Sequence, residues 1–317
     1  MTRYAVALGS NLGDRLRCLR SALMDIRRFG EITAISGLYE TAPIGGPEQD
    51  PFLNAVVLVV SELDAETLLD SLAGIEDSQG RVRSEKWGPR TVDLDIVSSD
   101  GPVLNTPRLL VPHVRAHERR FVLEPLAEVW PDAAVGNGET AAGALTKVLD
   151  QDVELLLGDW ANADLPSPGI YWVMAQIALF TVIALALVGE GSLPSLDLDW
   201  LRGAGVLILV LGAYLILASA KSLGRALTPL PEPAPGASMV VTGPYRWARH
   251  PIYGGVVLLF LGASLALGSW IAAMLSVGLL GFFWLKSSYE ERRLRIAYPS
   301  YTSYRRRVRR RFIPFLV

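Results

Sequence analysis

The chain has 317 residues, enough for two domains of ordinary size; half of them are hydrophobic and the mean hydropathy is +0.31, high for a soluble protein of this length. A formal net charge of −2 hides a split: residues 1–168 carry 15 basic and 26 acidic side chains, a net of −11, whereas residues 169–317 carry 15 and 6, a net of +9. The single cysteine, Cys18, excludes an intrachain disulfide, and the opening MTRYAVALGS has no long apolar core after its basic start, so no signal peptide is expected.

The first half reads as alternating strands and helices. A strand is expected at Tyr4–Gly9, a helix from about Asp14 to Phe29 with Cys18 as a packing residue, and a strand near Ile32–Leu38. A loop rich in Pro and Gly covers Glu40–Pro51. A strand at Leu53–Val60, a helix at Ala65–Gln79 and a strand at Thr91–Val97 follow. This alternation predicts an α+β sandwich of ferredoxin-like type over residues 1–165.

The densest chemistry is GRVRSEKWGPRTVDLDI, residues 80–96. Asp93 and Asp95 are two apart on a strand and project to one face, while Val92, Leu94 and Ile96 project to the other. Two adjacent carboxylates repel, which a hard divalent cation such as Mg²⁺ relieves. Arg81, Arg83 and Arg90 flank them, and guanidinium groups clasp phosphate oxygens. Metal and arginines together are the equipment of phosphoryl-type transfer. Taken alone, Asp-x-Asp also fits a solvated strand face.

Four stretches in order, ALGSNLGDR (7–15), YETAPIGGPEQDPFLNAV (39–56), RVRSEKWGPRTVDLDI (81–96) and VPHVRAHERRFVLEPL (111–126), give residues 3–160 a close likeness. This part of the chain resembles the 6-hydroxymethyl-7,8-dihydropterin pyrophosphokinase family of folate biosynthesis. The resemblance implies pyrophosphoryl transfer from ATP to the pterin hydroxymethyl oxygen, with AMP leaving. It implies that Asp93 and Asp95 hold two Mg²⁺ ions, that Arg81 and Arg90 clamp the phosphates, and that Trp87 shapes the loop between them. It also implies that Phe52 and Phe121 sandwich the pterin, with Asn54 and backbone groups near Thr41 and Ile44 reading its edge. Glu76, His113 and Arg119 become nucleotide contacts. His117 reads as structural, Arg83 is unassigned, and Phe52 and Phe121 would otherwise be core aromatics. Where some family members have an aromatic after the histidine, this chain has Val114.

The second half, residues 166–317, holds four apolar segments: Ile170–Val188, Leu201–Ala220, Ile252–Leu267 and Ile271–Leu285. A spanning helix needs roughly 17–25 residues. The last two segments break at Gly268-Ser269-Trp270 and read as a tight hairpin, so an all-α bundle of four transmembrane helices is predicted. The loop after the first segment carries Glu190, Asp197, Asp199 and Arg202; the next carries Lys221, Arg225, Arg246 and Arg249; ten basic residues follow the fourth. By the positive-inside rule the second loop, the tail and the N-terminal domain lie in the cytoplasm, making a multi-pass membrane protein. Pro166-Ser167-Pro168 reads as a linker, and Pro229, Pro231, Pro233 and Pro235 as a stiff extended loop.

GPYRWARHPIYGG (243–255), YEERRL (289–294), YPSYTSYRRRV (298–308) and FIPF (312–315) occur in order. Residues 201–317 thereby resemble the isoprenylcysteine carboxyl methyltransferase and phospholipid methyltransferase group. The resemblance implies S-adenosylmethionine as methyl donor, lined by His250, Tyr253, Gly254, Glu290 and Glu291, and Arg305 and Arg306 near an acidic acceptor or lipid headgroup. Ala297-Tyr298 departs from the Phe-Gly often found there. The acceptor is open between a lipid, a carboxylate and an amine. Snorkelling anchors would also account for Arg249 and Tyr253, and a solvated helix face for Glu290 and Glu291. Two further readings compete for this half: a membrane anchor alone, or an anionic-lipid binding module. Expected partners are small molecules and the bilayer, without nucleic acid.

Overall fold

The protein is described by a computed structural model, which covers residues 1–81, 87–161, 169–189, 199–228, 230 and 238–313. The expectations for Arg83, for Pro166–Pro168, for Glu190 and Asp197, for the prolines at 229–235 and for the Pro-Phe of the last motif lie outside the described residues, as does the Arg225 side chain. The chain divides into two compact units, Met1–Leu165 and Pro166–Val317.

The first unit is built on a mixed order of strands and helices: β1 (Thr2–Ser10), α1 (Arg15–Ile26), β2 (Glu31–Ile35), β3 (Leu38–Thr41), β4 (Phe52–Ser61), α2 (Ala65–Ser78) and β5 (Asp93–Ser99). The sheet runs β5-β1-β4-β3-β8, with β2 also on β4 and every pairing antiparallel; β8 is Val153–Leu157. Both long helices start where the sequence supplies a cap. Asp14 accepts from Arg17 N at 3.1 Å and Asp64 from Thr67 N at 2.8 Å. The strand expected at Ile32–Leu38 is two strands. Ser36 leaves the ladder, its Oγ accepting from Val56 N at 2.9 Å, and Gly37 N donates to Glu128 at 2.9 Å. A Cβ on Gly37 would stand 2.5 Å from Leu155 Cδ1, so a larger residue there would push that side chain aside.

After β5 come a short hairpin, β6 (Leu104–Asn105) with β7 (Leu110–Val111), and two helices, α3 (Arg120–Val129) and α4 (Ala141–Leu145). Val122, Leu123 and Leu126 of α3, with Ala141 and Ala144 of α4, bury Ala5, Val56, Leu58 and Val97 of the sheet. Tyr4, Val6, Leu8, Leu94 and Ile96 are buried on the alternate face, where α1 and α2 pack on β1 and β5.

The second unit is helical: α5 (Gly169–Gly189), α6 (Asp199–Leu223), α7 (Pro251–Leu267), α8 (Trp270–Ala297) and α9 (Tyr301–Arg307). Among the described residues α5, α6 and α8 are long and apolar enough to cross a membrane, while α7 is apolar but has 17 residues. In α5 only 6% of the apolar window is buried, as expected of a helix facing lipid. The hairpin between α7 and α8 forms at the expected place, with Gly268 at φ +74° and Ser269 Oγ accepting from Ala272 N at 3.2 Å. Helices α6 and α7 touch backbone to backbone: a Cβ on Gly205 would meet Ala266 N at 2.5 Å, and one on Gly212 would meet Leu259 N at 2.5 Å. The fourth apolar segment does not stop at Leu285. It continues as one helix through Glu290 and Glu291 to Ala297.

Candidate active sites

In the first unit, register sets the site. Gly9 of β1 lies between Asp93 of β5 and Asn54 of β4, and Ala7 is paired with Asp95, so these side chains share one sheet face. A Cβ on Gly9 would come within 3.2 Å of Asn54 Oδ1. The floor opens into a cavity of about 390 Å³ lined by Thr41, Ile44, Phe52, Asn54, Arg81, Trp87, Arg90, Asp93, Asp95, His113, Arg119 and Phe121. Of the residues expected at this site, Glu76 alone is absent from the lining. It is buried beneath, where Oε1 accepts from Leu94 N at 2.8 Å and pairs with Arg81.

Two guanidinium groups hold Asp93: Arg81 Nη2 at 2.6 Å and Arg90 Nη1 at 2.7 Å. Asp95 is pushed up to about 6, chiefly by burial and then by the charges of Asp93 and Glu76, against the pull of Arg119 and Arg81. His113 is pushed down by burial and by Arg119 and Arg115, so the ring is neutral near pH 7. Arg115 N donates to His113 Nδ1 at 3.2 Å, which leaves the proton on Nε2.

At the aromatic end of the cavity, beside Phe52, Asn54 Nδ2 donates to Thr41 Oγ1 at 2.7 Å, which fixes the amide. Arg90 lies 5.6 Å from the Phe52 ring and Arg119 5.6 Å from the Phe121 ring. Two residues missed in the sequence, Asn11 and Gln49, tie the loops together. Asn11 Oδ1 accepts from Arg90 N at 2.8 Å, Asn11 Nδ2 donates to Gln49 Oε1 at 2.8 Å, and Gln49 Nε2 donates to Trp87 O at 2.8 Å. Arg115, also missed, lines the cavity with its guanidinium carbon 5.9 Å from the centre of the Trp87 ring. Trp87 itself sits at φ +62°, pressed against Gly45 and Gly46. A metal fits the donor set only in part: among the described residues no three His, Cys, Asp or Glu side chains form a ready cage. Asp93 and Asp95 supply carboxylate oxygens on one face, the balance falling to substrate phosphates and water, as magnesium prefers.

The second unit has its own cavity, about 440 Å³, lined by His250, Tyr253, Glu290, Arg249, Tyr245, Tyr301, Tyr304 and Lys286 among others. Pro251 opens α7 and leaves His250 at its N-cap, where His250 N donates to Arg311 O at 2.7 Å. Tyr253 Oη donates to Glu290 at 2.9 Å, and His250 Nδ1 stands 3.5 Å from the same carboxylate. The rings of His250, Tyr253 and Phe283 stack in a row at 5.6 and 4.5 Å. Two expected contacts face elsewhere. Glu291 is a buried hub for Arg249 at 2.7 Å, His250 Nε2 at 3.2 Å, Arg305 at 3.5 Å and Arg311 at 3.6 Å. Gly254 lies under the Phe312 carbonyl, with no room for a Cβ. Arg305, expected near an acceptor, is thus engaged with Glu291.

Comparison with known proteins finds a match in each unit. Residues 5–131 match the family described as 7,8-dihydro-6-hydroxymethylpterin-pyrophosphokinase (HPPK). A 2-amino-4-hydroxy-6-hydroxymethyldihydropteridine pyrophosphokinase of Methylorubrum extorquens is 41% identical over 156 residues, 49% of this chain and 98% of the relative. The protein of that name from Pseudomonas aeruginosa is 40% identical over 158 residues, covering 49% and 98%; that from Bacillus subtilis is 44% identical over 126 residues, covering 39% and 75%.

The chain belongs to the pyrophosphokinase family.

The pyrophosphokinase unit accounts for about half of its length. Residues 200–300 match the phospholipid methyltransferase family, so a membrane methyltransferase domain follows it, as the motifs 243–255 and 289–308 suggested. The chain thus joins a pyrophosphokinase unit to a unit similar to the phospholipid methyltransferases.

Proposed function

We propose that the first unit transfers the pyrophosphoryl group of ATP to 6-hydroxymethyl-7,8-dihydropterin and releases AMP, as its relatives' names describe. The observation that carries this reading is Asp93 and Asp95 on one strand face between Arg81 and Arg90, beside an aromatic slot. Asp93 and Asp95 would hold Mg²⁺, which neutralises the phosphates when bound. In the free protein Arg81 and Arg90 rest on Asp93. An incoming triphosphate gives them a stronger partner and frees the carboxylate, so nucleotide and metal sites form together. His113 donates from Nε2 to a phosphate oxygen, and Arg119 adds charge from the Phe121 side. Phe52 and Phe121 stack on the pterin, Asn54 and the backbone near Thr41 and Ile44 read its edge, and Trp87 closes over the glycine turn. Positioning supplies most of the rate, because the hydroxymethyl oxygen attacks phosphorus already activated by its leaving group. Glu76 orients Arg81 rather than touching nucleotide. Asp93→Ala should abolish ATP- and pterin-dependent AMP formation; unchanged turnover would refute the assignment.

The order β-α-β-β-β-α-β, in which β2 and β3 both pair with β4 and together take the place of one strand in the sheet β5-β1-β4, supports reading the unit as a ferredoxin-like sandwich with α3 and α4 added on its second face. At about 1.5 Å per residue α7 reaches about 26 Å, near the hydrocarbon thickness, which supports four spans. The basic residues of the 221–249 loop and of the tail favour a cytoplasmic placement for both ends of the chain. A reporter fused after Val317 and found on the outer side would refute that orientation.

The second unit we read as a methyltransferase using S-adenosylmethionine, which supplies an electrophilic methyl group. His250, Tyr253 and Glu290 line the cavity for it, while Glu291 and Gly254 hold that wall in place. An anchor would need the spans and the arginines but no buried His–Tyr–Glu set around a cavity. The methyl acceptor would be a lipid or another apolar molecule reaching the cavity from the bilayer.

A further inference from the structure

Arg15 and Glu40 form a buried ion pair, 0% and 4% exposed, that neither catalytic reading uses. Arg15 Nη1 stands 3.4 Å from Glu40 Oε1 and donates to Pro51 O at 2.7 Å. Arg15 is the first residue of α1, directly after its Asp14 cap, so the guanidinium lies at the positive end of a helix. A buried cation at that place is a poor choice for stability alone. Dehydration costs both partners, and the helix dipole opposes one of them.

Strand register shows what the pair holds. Across β3 and β4, Glu40 is paired with Leu53 and Thr41 with Phe52, and the loop 42–51 leaves the sheet between them. Arg15 therefore reaches one residue on each side of the mouth of that loop, Glu40 before it and Pro51 at its end. Asn11, on the same turn of chain, adds a hold on the loop, its Nδ2 donating to Asp50 O at 3.1 Å. Side chains alternate along a strand, so Glu40 points away from the face that carries Thr41. Neither Arg15 nor Glu40 lines the first cavity, whereas Thr41 and Phe52, the chain neighbours of Glu40 and Pro51, both do. The pair thus acts on the cavity from the far side of the sheet, through the backbone. A loop whose ends are already held loses less freedom when a ligand settles on it.

We propose that Arg15 and Glu40 are positioning residues for the pterin: the pair clasps both ends of the 42–51 loop and so sets the spacing of Thr41 and Phe52, against which the pterin edge and ring rest. This rests on the pyrophosphokinase reading above.

A buried ion pair exchanged as a whole for apolar side chains of similar volume keeps or gains stability, which separates holding the loop from holding the fold. Detergent-solubilised full-length protein is assayed for AMP formation while ATP and 6-hydroxymethyl-7,8-dihydropterin are varied in turn. Arg15→Met combined with Glu40→Leu should melt at or above the wild-type temperature. Its KM for the pterin should nevertheless rise roughly tenfold while its KM for ATP stays within about twofold. Arg15→Lys keeps a cation beside Glu40 but shortens the reach to Pro51. It should show the same split at a smaller size, and it decides the matter should the double variant fail to fold. A pterin KM that is unchanged in the variant that folds, or a rise of equal size for both substrates, overturns the proposal and leaves the pyrophosphokinase reading standing. Wild-type protein that forms no AMP overturns that reading, and the proposal with it.

Discussion

Asp95→Asn tests the electrostatics of the pyrophosphokinase site most sharply, because it should stabilise the protein while destroying activity. The Asp95 carboxyl sits at about 6 against an ordinary 3.8, so holding it ionised costs roughly 3 kcal/mol. A raised carboxyl carries no penalty below the unfolded value. The penalty grows as pH climbs from about 4 and is complete above about 6. Asparagine keeps the shape and removes the charge. Without metal at pH 7.5, sheet amides of Thr2–Ser10 and Asp93–Ser99 should therefore exchange more slowly in the variant, by roughly tenfold to a hundredfold once local relaxation is allowed. At pH 4 the two proteins should match after correction for intrinsic exchange. Millimolar Mg²⁺ with a non-hydrolysable ATP analogue should slow exchange in the wild type and do little in the variant. Hydrogen exchange read by mass spectrometry on the full chain gives both numbers. A variant that exchanges faster than wild type at pH 7.5, or that still forms AMP, would refute the reasoning.

Glu76→Gln should lower kcat about tenfold or more with pterin affinity nearly unchanged, because Arg81 loses a charged anchor while the aromatic slot is untouched; steady-state kinetics against each substrate separates the two. Gly46→Ala should raise KM for both substrates, since Gly46 sits at φ +76° with Trp87 O only 2.5 Å from any added Cβ; unchanged kinetics would mean the turn does not set the Trp87 position. Arg249→Met should destabilise the second unit by about 1–3 kcal/mol by stripping one buried partner from Glu291, which keeps His250, Arg305 and Arg311; thermal aggregation in detergent reads this, and a variant as stable as wild type would make the Arg249 contact dispensable.

Much of this was legible in the sequence because the signals are local. A two-residue spacing put Asp93 and Asp95 on one face, and Gly268-Ser269 marked the hairpin. What escaped notice depends on distant partners. Ile32–Leu38 looks like one strand, and only its packing under Glu128 and Leu155 breaks it at Ser36-Gly37. Helix α3 was hidden by Pro125 within its run, which falls in the second turn of the helix. Asn11 and Gln49 are ordinary loop residues until three loops meet. Glu290 and Glu291 are neighbours in sequence, yet about 100° of helix rotation sends one to the cavity and the other to an arginine hub. Lys286 was counted only with the basic residues after the fourth segment, because that segment was expected to end at Leu285, whereas the helix runs on to Ala297.

The central claim is that one chain carries two enzymes. Its most direct test is S-adenosylmethionine binding to detergent-solubilised full-length protein, beside His250→Ala and Glu290→Ala, in preparations whose ATP- and pterin-dependent AMP formation is measured in parallel. Saturable binding weakened by both substitutions, in protein that forms AMP, is the predicted result. Protein that forms AMP but binds no S-adenosylmethionine would contradict it and reduce the second unit to an anchor.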